Sequence, residues 1–219
     1  GCIAVNIGME TGNRETLKQI RKPGTLDQFL KAAEVFRNHE QIYSNLLLIL
    51  GFPDETMRMI LNTIDVACQM GMDWYRISPL QPLPNTPIYD DMVNQGLIED
   101  KGFQNSGDAR FAVGVFGTLT EIEQGTREAP PDFREVFSSI SLDEIPSGEQ
   151  ITTIWFYMNY YLNFHRLLRE TRPDKIDQQI KALRALADII SPDNAFALYF
   201  LAILEQRHCE SIDPAIIRR

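Results

Sequence analysis

Short apolar runs alternate along the first part of the chain with longer stretches in which apolar residues recur every three or four positions. The runs cover residues 3–7, 46–50 and 74–78 and have the length of β-strands. Residues 46–50 are apolar at every position, which is typical of a parallel-sheet strand covered on both faces. A turn and a helical pattern follow each run. Residues 3–96 therefore predict a repeated strand–helix unit with parallel strands.

The helical stretches carry start and stop signals. A short first helix is predicted around residues 14–21, ended by Pro23-Gly24. Thr25-Leu26-Asp27-Gln28 is a capping-box pattern that predicts the start of a second helix. We expect the third helix to begin at Asp54, because Asp, Glu and Thr in a first turn complement the positive end of the helix dipole. Thr86-Pro87 predicts an N-cap followed by proline at the first helical position.

The pattern changes twice after residue 96. Residues 97–148 lose periodicity and predict an irregular extension, with short helices around residues 120–124 and 132–139. Helical spacing returns over residues 149–219, which predict a helical C-terminal subdomain. Its three predicted buried stripes are Ile151, Ile154, Trp155, Met158, Leu162 and His165; Ile176, Ile180, Leu183, Ala187 and Ile190; and Ala195, Leu198, Tyr199, Ala202 and Ile203.

Composition and charge narrow the class of protein. The 219 residues are 44% hydrophobic and 23% charged, an ordinary globular mixture. A net charge of -9 argues against a nucleic-acid-binding surface, which needs clustered Lys and Arg. No apolar run approaches the roughly 20 residues that cross a bilayer, and the first residues do not resemble a signal peptide. We expect a cytoplasmic protein with neither a nucleic acid nor a membrane as partner.

The cysteines and histidines give no metal-binding pattern. Cys2, Cys68 and Cys209 are far apart and odd in number, as is usual in a reducing compartment. Cys68 lies on the apolar stripe of the third helix, so we predict that it is buried. The three histidines also lack partners at metal-ligand spacing. The sequence therefore identifies no metal ligand within this chain.

Candidate chemistry lies in the segments that follow the strands. Gly-Met-Glu-Thr-Gly-Asn occupies residues 8–13, Gly-Phe-Pro-Asp-Glu-Thr residues 51–56, and Pro-Leu-Gln-Pro-Leu-Pro residues 79–84. Ligands of parallel α/β folds bind at the carboxyl ends of the strands, where loops offer free backbone donors. A phosphate loop is a poorer interpretation, because neither Gly-Lys-Ser/Thr nor Gly-x-Gly-x-x-Gly occurs.

Together these segments, over roughly residues 1–92, resemble the second half of the radical S-adenosylmethionine (SAM) enzymes. They resemble in particular the subgroup with an N-terminal cobalamin-binding domain. Its usual runs are Gly-x-Glu-Ser-Gly-Ser, Gly-Leu-Pro-Gly-Glu-Thr and a proline-rich segment ending Thr-Pro-x-Tyr. This chain differs by conservative replacements at Thr11, Asn13, Phe52 and Asp54.

The resemblance implies an α/β fold. Residues 1–96 would form the C-terminal half of a partial TIM-type (βα)6 barrel with parallel strands, followed by the irregular extension and the mainly α-helical subdomain. In this family a Cys-x3-Cys-x2-Cys loop after the first strand holds a [4Fe-4S] cluster, and this chain begins at about the fourth strand. We therefore expect the cluster ligands in a missing N-terminal half of the same polypeptide, and an inactive fragment.

The resemblance also implies contacts to SAM. Glu10 or Asn13 would accept hydrogen bonds from the ribose hydroxyls, with Glu10 at the family's ribose-contacting position. Lys22 matches a basic position that pairs with the methionyl carboxylate. The alternatives are that Glu10 is only a helix N-terminal charge and that Lys22 is a solvated helix C-terminal charge.

The second and third segments would contact the adenine. Gly51, Phe52 and Pro53 would form an apolar wall, and Glu55 would cap the following helix. Main-chain groups between Ser78 and Gln81, including Pro79, would bind the adenine edge. The alternative for this proline-rich segment is a plain connector from strand to helix. We expect Glu10 and Gly51 to face one cavity along the same rim.

The family's chemistry is reductive cleavage of SAM to a 5′-deoxyadenosyl radical, which abstracts hydrogen or, with cobalamin, supports methyl transfer. The resemblance implies a small-molecule or natural-product substrate and a reductant such as flavodoxin or ferredoxin; it identifies no catalytic residue. Residues 97–219 would set specificity. Two alternatives stay open: another βα-barrel enzyme, such as a hydrolase or aldolase, and a non-catalytic interaction module with an exposed groove between the last three helices.

Overall fold

A computed structural model describes residues 1–98, 133–192 and 194–209. Three strands, β1 (Ala4–Glu10), β2 (Tyr43–Leu50) and β3 (Trp74–Pro79), form a sheet in that order. Both strand pairs are parallel, as predicted. The intervening helices are α1 (Arg14–Gln19), α2 (Leu26–Arg37) and α3 (Met57–Met70). The alternation of parallel strands and helices is that of a partial α/β barrel.

Most of the remaining described chain is helical. The elements are α4 (Pro87–Asn94), α5 (Phe133–Val136), α6 (Gly148–Asn159), a π-helical turn (Tyr160–Phe164), a 3₁₀ segment (His165–Arg169), α7 (Pro173–Ala185), a second π-helical turn (Leu186–Ile190) and α8 (Ala195–Cys209). The short helix predicted around residues 120–124 lies outside the described residues. None of the described helices has the length and apolarity needed to span a membrane.

Side chains in the turns cap the N-termini of several helices. Thr25 and Gln28 form the predicted capping box, and Thr86 accepts a hydrogen bond from the Tyr89 amide. The third helix begins later than predicted, at Met57, because Thr56 rather than Asp54 is its N-cap and accepts from the Met59 amide. Polar composition alone did not distinguish the turn before this helix from its first turn.

The prediction that Cys68 is buried is wrong. Cys68 is exposed, whereas its neighbour Ala67 is fully buried. The buried stripe of α3 continues from Ile64 by three residues, to Ala67, and not by four.

The sheet and its helices enclose the main core. Leu46, Leu48 and Leu50 on one face of β2 are buried against α3, whose Ile60 and Ile64 belong to the same cluster. Alternate residues on the other face of β2 are only partly buried in the described structure. We predicted that β2 is covered on both faces. One face is buried as predicted, and the other is only partly buried.

The helical subdomain has its own filled core. The first two predicted stripes are largely correct, although Ile190 is 62% exposed. The third is wrong: Tyr199 is 62% exposed, and the buried apolar residues of α8 are Ala197, Phe200, Leu201 and Leu204. Helix α8 is apolar on nearly all sides, so spacing did not identify its inner face. Because α7 and α8 enclose packed side chains, the described helices do not form the groove expected of an interaction module.

Side chains from the helical subdomain cover the free edge of β3. Asn163 donates to the Tyr75 carbonyl at 2.9 Å and accepts from the Tyr75 amide at 2.8 Å, as a neighbouring strand would. The Trp155 indole donates to the Ile77 carbonyl at 2.7 Å. These bonds satisfy backbone groups that an uncovered edge would leave unpaired.

Candidate functional site

The carboxyl ends of the three strands lie side by side. Glu10 is in register with Leu48, and Leu50 is in register with Pro79. The Leu80 amide donates to the Leu50 carbonyl at 2.8 Å, which continues the pairing beyond β3. The turns after β1, β2 and β3 therefore share one rim of the sheet, as the parallel arrangement predicts.

The backbone of β1 changes conformation at Glu10, the last residue of the strand. An irregularity in the register lies between Gly8 and Glu10, and Glu10 has a φ of 71°, which is unusual for a residue with a Cβ. Its carboxylate accepts a hydrogen bond from Lys22 Nζ at 2.7 Å. Both side chains keep some exposure, 20% for Glu10 and 26% for Lys22. The two predicted polar residues thus meet and remain accessible to a ligand.

The absence of a side chain at Gly8 makes room for this pair. A Cβ there would lie 2.7 Å from Glu10 Oε1 and 3.2 Å from Lys22 Nζ. The charged groups therefore lie directly over the backbone of β1. Neither a helix-capping role for Glu10 nor a fully solvated role for Lys22 would require this location.

Asn13 is committed to the fold. It is buried, and its amide donates to the Met59 carbonyl at 2.6 Å and to Thr63 Oγ1 at 3.2 Å. Its carbonyl oxygen accepts from Asn62. These bonds attach the turn after β1 to α3, so Glu10 rather than Asn13 is the side chain on the rim that is available to a ribose.

The turn after β2 is closed by a buried carboxylate. Gly51 has a φ of 89°, which favours glycine, and its amide donates to Glu55 Oε2 at 2.6 Å. The prediction that Glu55 caps the next helix is wrong, because Thr56 does so. Glu55 instead bonds back to the turn and fixes Gly51 and Phe52 in place.

Burial gives Glu55 unusual acid–base behaviour. Desolvation raises the pKa of its carboxyl from 4.5 to about 7, although the Gly51 and Phe52 amides act to lower it. Its Oε1 is buried and has no hydrogen-bond partner among the described residues. The group is therefore a buried carboxyl with one oxygen still able to interact.

A cavity of about 140 Å³ lies beside this turn. Gly51, Phe52, Pro53 and Glu55 line one side of it, and residues of α4 and of the segment before α6 line the other. Phe52 is buried with Leu80 and Met92 in a small apolar cluster. These residues therefore present backbone and aromatic surface to a cavity, and their contact with an adenine stays a prediction. Glu10 is not among the cavity's lining residues, so the expectation that Glu10 and Gly51 face one cavity is not met.

The third candidate segment, residues 79–84, contributes less directly to the candidate site. Pro79 is buried at the end of β3, whereas Gln81 is exposed. Neither lines the cavity beside Gly51. Their proposed contacts to an adenine edge stay a prediction.

Sequence reasoning missed the far side of this cavity. Met92, Ile145, Pro146 and Ile151 line it, although the last three lie more than 90 residues from Gly51 along the chain. No motif marks them. Their only signal was the start of a helical stripe at Ile151, which indicates burial but not a cavity.

The described residues contain no group of three His, Cys, Asp or Glu side chains that could hold a metal ion. Cys2 and Cys68 lie in separate parts of the fold, the first before β1 and the second near the end of α3. Thiolates are the ligands that an iron–sulfur cluster requires. The described part of the chain therefore does not fit such a cluster, and no step here is derived through one.

Parallel strands that alternate with helices and share one rim define the class of α/β-barrel proteins. Residues 1–67 match the Radical SAM superfamily. The chain is 24% identical over 183 residues to the bacteriochlorophyllide d C-12(1)-methyltransferase of Chlorobaculum tepidum, an alignment that covers 80% of the chain and 37% of that relative. The part of the chain that carries β1, β2 and most of α3 is therefore similar to the radical SAM superfamily.

Proposed function

We propose that this chain supplies the SAM-contacting rim of a radical SAM enzyme. The observation that carries the proposal is that Glu10 and the Gly51 turn lie at the carboxyl ends of adjacent parallel strands. SAM has a ribose diol, an adenine and a zwitterionic methionyl group. The rim offers an acceptor, an apolar wall and a cation for these three parts.

Each residue has a specific role in this proposal. Glu10 accepts from the ribose hydroxyls, and Lys22, which lies 2.7 Å from it, pairs with the methionyl carboxylate. Gly51, Phe52 and Pro53 pack against the adenine. Backbone groups at Pro79 and Gln81 bind the edge of the base. The protein's contribution is to bind, to orient and to exclude water.

The parent enzyme is proposed to cleave SAM reductively, using a [4Fe-4S] cluster held outside the described residues. SAM would supply the reactive carbon centre, the reductant and cluster would supply the electron that breaks its carbon–sulfur bond, and residues 8–13 and 51–56 would hold the cofactor. The relative in Chlorobaculum tepidum is a methyltransferase, which supports methylation of a small molecule as the outcome. Cobalamin as methyl carrier, a flavodoxin or ferredoxin reductant and a cytoplasmic location belong to the same proposal.

The chain spans 37% of the length of that relative. We therefore propose that a complete active site needs further polypeptide and that the 219 residues alone are inactive. The match of residues 1–67 to the Radical SAM superfamily favours radical chemistry over a hydrolase or aldolase barrel.

Glu10→Gln tests the site directly. The substitution keeps the shape of the side chain but removes its charge, so titration calorimetry should show SAM affinity lower by about tenfold, the usual effect of losing one charge-assisted hydrogen bond. Glu15→Gln is the matched control, because Glu15 is exposed on α1 and loses the same charge. Equal affinities for the two variants, or no saturable binding of millimolar SAM by the unmodified chain, would contradict the proposal.

A further inference from the structure

A second and larger cavity, of about 310 Å³, lies at the opposite end of β3. It lies between the C-terminal end of α3 and the 3₁₀ segment. Its lining includes Cys68, Tyr75, Tyr161, His165, Arg166 and Arg169. Tyr75 belongs to the amino end of β3, so this cavity is separate from the proposed SAM rim. Cavities of this size accept small organic ligands.

Positive charge is concentrated at this cavity, although the chain as a whole carries a net charge of -9. Arg166 and Arg169 are three residues apart on a 3₁₀ segment, where such residues lie on the same side. Neither arginine forms an ion pair with a described residue; Arg166 donates instead to the Asp73 backbone carbonyl. Both charges therefore remain available to an anion.

The acidic residue on the lining is already neutralised. Glu170 accepts from Arg172 Nε at 2.9 Å and from Arg172 Nη2 at 2.7 Å. Burial acts to raise the pKa of Glu170, but these bonds outweigh it and lower the pKa to about 2. Glu170 is thus a permanent partner of Arg172 and does not compensate Arg166 or Arg169.

Two nitrogen atoms of the lining residues are buried without a partner in the described part of the chain. They are Nε of Arg166 and Nδ1 of His165. His165 is stacked on Tyr161, with ring centroids 5.7 Å apart, which fixes the orientation of the imidazole. Arg166 therefore has a buried guanidinium N–H that no described acceptor pairs, so its positive charge is not offset at that atom.

We propose that this cavity binds a phosphate monoester. Arg166 and Arg169 bind the phosphoryl oxygens, and Tyr161, Tyr75 and Met72 surround the organic group of the ligand. The volume exceeds what a free phosphate ion needs, and the rest of the lining includes aromatic and thioether side chains suited to an organic group. The site is independent of the SAM rim.

Titration calorimetry with phenyl phosphate, inorganic phosphate and phenol tests the two parts of the ligand. We expect saturable binding of phenyl phosphate, binding of inorganic phosphate weaker by about fivefold, since it buries no apolar area, and no saturable binding of phenol. Inorganic phosphate binding as tightly as phenyl phosphate would identify a free-phosphate site and overturn the monoester assignment. Absence of binding by both phosphates would overturn the site itself.

Arg169→Gln should weaken phenyl phosphate binding by about fivefold, the usual scale for an exposed ionic contact. Lys18→Gln is the matched control, since Lys18 is exposed on α1 and loses the same charge. An equal loss of affinity in both variants would mean that only net charge matters, which overturns the proposal.

The cysteines provide a location test on the unmodified chain. Cys68 is exposed and lines the cavity, whereas Cys2 is exposed before β1 and is not among the residues that line it. Saturating phenyl phosphate should slow alkylation of Cys68 by iodoacetamide and leave Cys2 unchanged, as measured by peptide mass spectrometry. Unchanged alkylation of Cys68, or equal slowing of both cysteines, would contradict the proposed position.

Discussion

Two carboxylates of the proposed rim illustrate how residue environment sets function. Glu10 is partly exposed and paired with Lys22 at 2.7 Å, so its negative charge is available to a ligand with hydroxyl donors. Glu55 is buried, bonded to the Gly51 amide and without a cationic partner among the described residues. The first is suited to ligand contact and the second to holding the shape of the turn. Their order in the sequence motif does not distinguish these roles.

Glu55 should make the chain less stable as pH rises. Its pKa is raised in the folded state, from 4.5 to about 7, so the folded state holds the proton more tightly. The resulting stability is fully present below pH 4.5 and is lost as pH rises to about 7. Over that window the loss is about 3 kcal/mol.

Glu55→Gln removes this titration. The difference in unfolding free energy between the unmodified chain and Glu55→Gln, from urea denaturation at several pH values, should therefore change across that pH range. A difference independent of pH would contradict this account, because it would show that the pKa of Glu55 is the same in the folded and unfolded states.

At the level of elements, the edge of β3 is completed by side chains and not by another strand. Asn163 reproduces both backbone bonds of a strand neighbour at Tyr75, and Trp155 adds a third bond at Ile77. The helical subdomain therefore takes part in the sheet's hydrogen bonding as well as packing against it.

Asn163→Ala should destabilise the chain by about 2–4 kcal/mol, because it leaves a buried amide and a buried carbonyl of Tyr75 unpaired. Asn159→Ala is the matched control: its amide donates only to the Trp155 carbonyl within its own helix, so a loss below about 1 kcal/mol is expected. Chemical denaturation followed by circular dichroism measures both. Equal losses would show that the Tyr75 bonds do not matter for stability.

The same elements show what the sequence could predict. The capping box at Thr25, the three strands and their parallel order followed from local pattern. The inner face of α8 did not, because apolar residues surround that helix and only packing against α7 selects Phe200 over Tyr199. The role of Asn163 could not be predicted either, since it depends on contact with a residue 88 positions away.

For the whole molecule, a buried network joins the sheet to the helical subdomain. Lys175 of α7 donates to Asp73 at 2.8 Å, and both side chains are 5% exposed. Asp73 also accepts from the amide and hydroxyl of Ser44 at the start of β2. Such a network leaves few alternative ways to dock the two parts. It fixes the helical subdomain against the amino end of the sheet.

This arrangement gives the molecule two chemically different ends. The carboxyl end of the sheet carries the Glu10–Lys22 pair and the apolar Gly51 turn, and the amino end of β3 carries the arginine-lined cavity. The motifs predicted the first end because they lie within single turns. The second end draws residues from α3 and the 3₁₀ segment, and no local pattern marks it.

The central claim, that the turn after β2 contacts the adenine of SAM, is tested most directly by photolabelling. The chain would be irradiated with 8-azido-S-adenosylmethionine, and the labelled residue would be located by peptide mass spectrometry, with excess SAM as competitor. We predict a competed label within residues 51–55. A competed label confined to residues 161–172 at the opposite end of the sheet, or no competed label anywhere on the chain, would contradict the account.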